Sequence, residues 1–286
     1  MLNSIKKHID SKNAGFSLTE LLVVIVMFGI ITTALYNTYG TQSKISLAQQ
    51  SILEMQSNGR AAIHLLSQSF SHAGFGSSDN TPGFFKFTNG TTDSIEIQYG
   101  YRYIANATVL NTDANTVIAT TNRISSFPST NLFINFFPSF SPNTRWEVKT
   151  VGLSTLTLEE AVSLVPPGAK IYQVFPVKFY VENGVLWQED DSGKTAIAYD
   201  VAAFKMAYTT TSSNPISWET KSDSSIKNPK AVYISLILRT RDREPGFMQE
   251  NNFKFPWSGT SQTLTNIEAG YHYQSFQAMV WIRNAE

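Results

Sequence analysis

No charged residue falls between positions 21 and 43, a run of 23 residues, and positions 21–31 are apolar throughout, with Gly29 the only small break. As an α-helix such a run spans about 35 Å at ~1.5 Å per residue, enough to cross the ~30 Å hydrocarbon layer of a bilayer. The flanks set its orientation. Lys6, Lys7 and Lys12 precede it against one acid, Asp10, and few basic residues follow it closely, which puts the N-terminus in the cytoplasm. A cleaved secretory signal has a shorter apolar region and then a small-x-small site. Here the run passes into Thr32-Thr33-Ala34-Leu35-Tyr36, which offers no such site. An uncleaved anchor is the plain alternative, and Glu20 is the residue it leaves unexplained. A carboxylate costs roughly 2.5–3.5 kcal/mol at mid-membrane on insertion scales, so at the edge of the run it reaches the headgroups or has a partner.

The string Gly15-Phe16-Ser17-Leu18-Thr19-Glu20-Leu21-Leu22-Val23-Val24-Ile25 resembles the class III signal of type IV prepilins and pseudopilins. It has glycine before the cut, an aromatic after it, Glu at the fifth mature position and then a long apolar helix. The resemblance implies cleavage between Gly15 and Phe16 by prepilin peptidase on the cytoplasmic face, and N-methylation of Phe16. It implies a single-pass protein in the bacterial inner membrane with its head outside the cytoplasm, later drawn into a surface filament. The implied partners are the peptidase, the lipid bilayer, an inner-membrane assembly platform, other minor pilins and the major pilin. In a helical stack, the Phe16 ammonium of an incoming subunit meets the Glu20 carboxylate of its neighbour. At ~4 Å and an effective dielectric near 20 that pair is worth about 4 kcal/mol before desolvation, so it selects register more than it adds stability.

Beyond the uncharged run, Ile45, Ala48, Ile52, Met55, Gly59, Ala62, Leu66 and Phe70 recur every three or four positions, the spacing of one helical face. Lys44, Gln49, Glu54, Gln56 and Arg60 fall largely elsewhere, and no proline occurs before Pro82. The spacing predicts one helix from about residue 17 to residue 72, its outer half amphipathic. Gly74, Gly76 and the polar run 77–83 end it. The remainder reads as strands. Ile95, Ile97, Tyr99, Tyr101 and Tyr103 alternate with Glu96, Gln98, Gly100 and Arg102. Residues 131–137 and 146–158 read as further strands, and 170–188 as a hairpin turning at Asn183-Gly184. Phe204, Met206 and Tyr208 share one strand face, and Val232, Ile234, Leu236 and Leu238 another; 273–282 is a last strand, with long loops at 209–217 and 241–259. The expected fold class is α+β: a long N-terminal helix, transmembrane then amphipathic, packed on a β-rich globular head, as in type IV pilins. The expected division is a leader at 1–15, the pilin helix at 16–73 with its membrane span at about 21–43, and the head at 74–286.

A second resemblance lies in the C-terminal half. Residues 178–187 and 200–208, then 231–241 reading AVYISLILRTR and 276–284 reading FQAMVWIRN, are similar in content and order to the PilW family of minor pilins. Residues 76–169 resemble no family.

Composition narrows function further. Lys plus Arg and Asp plus Glu are each 22, so the chain has no net charge, and a nucleic-acid partner is not expected. There is no cysteine, hence no disulfide framework and no thiol nucleophile. Of the histidines, His8 leaves with the leader, and His64 and His72 lack the i, i+4 spacing of a metal pair and read as solvated or capping groups; His272 is the fourth. Glu189-Asp190-Asp191-Ser192-Gly193-Lys194 lacks the ligand spacing of a calcium loop and reads as a solvated turn, as does 113–115. Arg239-Thr240-Arg241-Asp242-Arg243-Glu244 reads as a solvated rim. No nucleophile elbow, Walker A or dinucleotide fingerprint is present, so no catalytic residue, metal or cofactor is expected. The expected role is a non-catalytic minor pilin that initiates or caps pilus assembly. The alternatives are the J-type pseudopilin of a type II secretion system and a pilus-borne adhesin.

Overall fold

A computed structural model describes residues 17–74, 85–88, 92–109, 117–120, 132–137, 146–160, 168–211, 216–220, 223–226, 229–249, 252–253, 255, 262–263 and 267–282. Gly15, Phe16, His8, the expected leader, the loop at 77–83 and the acidic turn at 113–115 lie outside the described residues. The chain divides into two compact units, Met1–Gln50 and Ser51–Glu286.

One helix, α1 (Leu18–Ser71), carries both the uncharged run and the amphipathic stripe. In the first unit its apolar side chains from Leu18 to Tyr39 are exposed, and the helix is long and apolar enough to cross a membrane. In the second unit Ser51, Met55, Gly59, Ala62, Leu66 and Phe70 are buried, the stripe that the three-and-four spacing predicts. α1 ends because Gly74 adopts φ 76°, a left-handed conformation that side chains disfavour. The Gly74 N–H is taken by the Gln98 carbonyl at 2.8 Å.

Among the described residues fifteen strands follow: β1 (Phe85–Thr88), β2 (Ser94–Val109), β3 (Val117–Thr120), β4 (Leu132–Phe137), β5 (Trp146–Val151), β6 (Thr155–Leu158), β7 (Lys170–Glu182), β8 (Val185–Asp190), β9 (Gly193–Ala198), β10 (Val201–Thr209), β11 (Asp223–Ile226), β12 (Ala231–Arg239), β13 (Asn252–Phe253), β14 (Gln262–Thr263) and β15 (Tyr273–Trp281). The long strands β2 and β7 pair antiparallel, Ser94 opposite Tyr180 and Asn106 opposite Lys170. Where β2 begins, the pair widens through β1 and β11 on one side and β8 and β9 on the other. Where β2 ends, the order β2-β3-β6-β5-β4-β7 returns to β2 and closes a six-stranded barrel. β10, β12 and β15 form a separate three-stranded sheet, and β13 pairs with β14.

Two main cores match this division. The larger one gathers Met55, Leu66 and Phe70 of α1 with Ile97, Phe179, Phe204, Leu236 and Phe276. The Phe70 and Phe179 ring centroids lie 5.8 Å apart. The smaller core fills the barrel with Ile104, Leu132, Ile134, Phe136, Leu156 and Ile171 among others.

The strands differ from expectation in instructive places. Residues 146–158 form a hairpin of β5 and β6, because the chain turns at 152–154 with the Gly152 N–H on the Thr155 carbonyl at 2.7 Å. The stripe from Ile95 to Tyr103 does not stay on one face. Two irregularities, at Tyr99/Arg102 and Tyr103/Ala105, shift the register, so Ile95 and Ile97 are buried while Tyr103 is exposed. The expected loop at 241–259 contains β13. The hairpin at 183–184 is as expected: Asn183 and Gly184 take φ 53° and 74°, the left-handed pair that a two-residue primed turn requires.

Candidate functional site

Glu20 sits in the first turn of α1. Its Oε2 accepts a hydrogen bond from the Ser17 backbone N–H at 3.0 Å, and the Ser17 hydroxyl lies 2.7 Å from that of Thr19. The Ser17 carbonyl accepts from the Leu21 N–H at 3.1 Å, the first intrahelical bond. Ser17-Leu18-Thr19-Glu20 is thus the S-x-x-E capping arrangement, in which a carboxylate three residues into the helix reaches back to the cap residue. A negative charge there also meets the positive end of the helix dipole. The spacing was present in the sequence, so this second partner for Glu20 was legible and was missed.

The threonines of the uncharged run bond back into the helix. Thr32, Thr33, Thr38 and Thr41 each donate to the carbonyl four residues back, at 2.7, 2.8, 2.9 and 3.0 Å. In hydrocarbon an unmet polar hydrogen costs several kcal/mol, so this bonding makes the threonines compatible with an apolar surround.

In the second unit the polar constellations are structural. Asp93, buried, pairs with Lys205 at 3.1 Å and accepts from the Met206 N–H at 2.9 Å, tying the start of β2 to β10. Asp190 accepts from the Ser192 hydroxyl and N–H, and chiefly that hydroxyl holds its carboxyl below the usual carboxylate range. Lys194 stays a firmer cation than usual through its bond to Glu182. The segment 189–194 spans the β8–β9 connection, with the expected turn at 191–192 and its flanks paired as strand ends.

The mixed-charge run at 239–244 is only partly a rim. Thr240 is buried, and Arg239 lies over the Tyr271 ring at 4.5 Å and pairs with Glu268 at 3.2 Å. Burial lowers the Arg239 proton affinity, but Glu268 and Tyr273 outweigh it and raise the balance. His272 stacks on Phe247 with centroids 3.7 Å apart and meets Glu244 at 2.6 Å. A cleft of about 280 Å³ beside Tyr199, Asp200, Arg239 and Arg241 has its cations already matched, Arg241 by Asp200 at 3.8 Å. Among the described residues no three His, Asp or Glu side chains gather as metal ligands would.

Comparison with known proteins adds two findings. Residues 10–36 match the family model for the prokaryotic N-terminal methylation motif, a stretch that holds Gly15, Phe16 and Glu20. The chain is similar to a solved type IV-like pilin from Thermus thermophilus, at 11% identity and a TM-score of 0.42, with 81% of this chain and 98% of that one covered. No curated protein matches the chain. The N-terminal segment therefore carries a prokaryotic methylation motif in register with an apolar helix.

Proposed function

We propose that this chain is a minor type IV pilin, closest to the PilW family, that initiates or caps pilus assembly in a structural, non-catalytic role. The supporting observation is register. The methylation motif over 10–36 runs straight into α1, which begins at Leu18 and exposes an apolar surface long enough to span a bilayer. Prepilin peptidase cuts between Gly15 and Phe16, and the freed Phe16 ammonium is methylated and keeps its charge. The anchored subunit presents its helix and its β-rich unit as a platform on which other minor pilins and the major pilin assemble.

Piliation in a deletion strain tests the role. Loss of the gene removes most surface pili while major pilin accumulates in the inner membrane, and blocking retraction restores part of them, because rare spontaneous starts then persist. Wild-type piliation in the plain deletion strain refutes priming. Abundant pili with lost attachment point instead to an adhesin, and intact pili with lost protein secretion to a J-type pseudopilin.

A further inference from the structure

The sheet β10–β12–β15 has two edges, and they are finished differently. Along β10 the outward backbone groups are met one after another. The Val201 N–H bonds the Gly184 carbonyl at 2.8 Å, and the Phe204 carbonyl accepts from the Asp93 N–H at 2.8 Å. The Met206 N–H bonds the Asp93 carboxylate at 2.9 Å, and both groups of Tyr208 bond Glu219, at 3.0 and 2.8 Å. Among the described residues β15 pairs with β12 on one side only. The alternation of an antiparallel ladder then turns the N–H and C=O groups of Tyr273, Ser275, Gln277, Met279 and Trp281 to the other side. At Tyr273 they are met by one side chain: the Gln249 carboxamide accepts from its N–H at 2.6 Å and donates to its carbonyl at 2.9 Å. That carboxamide does what a neighbouring strand would do, and among the described residues no strand does it from Ser275 to Trp281.

Natural sheets guard such an edge with lysine, proline, a bulge or shortness. β9, one of the two outer strands of the ten-stranded sheet, has six residues and carries Lys194. β15 has nine residues, pairs with β12 without a register shift, and holds neither a charge nor a proline. The side chains on its outward face are graded. Ser275 and Gln277 are polar, whereas Met279 and Trp281 are each 45% exposed, and Met279 lies opposite Tyr233, whose ring meets that of Trp218 edge-on at 5.5 Å.

We propose that β15 is a docking edge to which a different protein chain adds an extended strand, with polar residues beside Ser275 and Gln277 and apolar or aromatic ones beside Met279 and Trp281. Main-chain hydrogen bonds supply the affinity and the graded side chains supply the register. A second copy of this chain is a poor occupant. Antiparallel pairing of β15 with itself about the middle of the open stretch sets Trp281 against Ser275 and Met279 against Gln277, apolar against polar. Pairing with β10 of another copy meets an edge already occupied. The edge belongs to the β-rich unit and exists whether or not the chain enters a filament.

Photo-cross-linking of the full chain in cells of its own host tests this. The probe is Ser275→benzoylphenylalanine, with Leu153→benzoylphenylalanine, on the exposed β5–β6 turn, as the control. The expected adduct joins position 275 to one segment of a different protein, and mass spectrometry maps it to an extended stretch whose every second residue runs from polar to apolar. Gln277→Pro keeps the β12 pairing, since the Gln277 N–H faces away from it, but removes a bond to the incoming strand. The adduct falls roughly tenfold or more with Gln277→Pro, and again with Met279→Lys, which leaves the backbone intact. Should Gln277→Pro lower the thermal midpoint of the full chain, Met279→Lys alone decides. Adducts containing only this chain, adducts no stronger than those of the Leu153 control, or adducts undiminished by Met279→Lys each overturn the proposal.

Discussion

Gly59 lies in the buried stripe of α1, and a Cβ added there would fall inside the van der Waals envelope of the Phe276 ring. Elsewhere in a helix Gly→Ala gains about 1 kcal/mol from propensity. Here the buried ring must move, and overpacking costs about 1–3 kcal/mol, so Gly59→Ala is expected to destabilise the chain on balance. Denaturant unfolding in detergent micelles reads this, and Phe276→Leu in the same chain should recover part of the loss. Asp93 makes the complementary case. Replacing a charge that holds two partners leaves the Met206 N–H without its acceptor, so Asp93→Ala is expected to cost about 3–5 kcal/mol in the same measurement. Asp93→Asn, which keeps a hydrogen-bonding oxygen, should cost less. A result in which the two variants are equally stable would show that the bond to the Met206 N–H contributes little. The glycine stood on the predicted stripe, so its burial was legible, but its ring partner, more than two hundred positions away, was not.

At the scale of the element, α1 has two jobs for one carboxylate. Glu20 caps its own helix through the Ser17 N–H, and under the proposed function it meets the Phe16 ammonium of the next subunit. The two roles separate by mutation. Glu20→Gln keeps a side-chain oxygen that can accept from the Ser17 N–H and removes only the charge. Glu20→Ala removes both roles. Membrane insertion should persist, because the segment becomes more apolar, and the mature chain should still begin at N-methyl-Phe16. Recovery of the Glu20→Ala subunit in sheared fibres should drop sharply, and that of Glu20→Gln should drop with it, because the ammonium then has no counter-charge. Glu20→Gln entering fibres as the unaltered chain does would mean that the cap, not the intersubunit pair, is what Glu20 is for. Elements set by local rules were legible in the sequence: α1 from its period and lack of proline, and the β7–β8 hairpin from Asn183-Gly184. The short strands β1, β3 and β11 were not, because four residues carry too little period to separate strand from loop. The shift at Tyr99/Arg102 was hidden for a related reason, since a bulge changes the face without changing the residue types.

At the scale of the whole molecule, β2 and β7 join two cores of unequal size. One end of each strand lies with α1 and the three-stranded sheet through Ile95, Ile97, Val177 and Phe179, and the other closes the barrel through Ile104, Ala105 and Ile171. Closure rests on partners far apart in sequence, such as Phe133 with Val174 and Ala119 with Thr155, so no local pattern announces it. The barrel depends on the larger core for its two longest strands, whereas among the described residues the larger core draws nothing from β4, β5 or β6. That asymmetry predicts the order of opening. Leu156→Ala, in the barrel, should lower the opening free energy of the Ile134 and Val148 amides by about 2–5 kcal/mol. The Ile234 and Leu236 amides of β12 should stay within about 0.5 kcal/mol of their original values. Leu236→Ala should weaken protection at all four positions, because β2 and β7 lose their footing when the larger core loosens. Native-state hydrogen exchange on the full chain in micelles measures both. If Leu156→Ala weakened β12 as much as it weakened the barrel, the two cores would open as one cooperative unit.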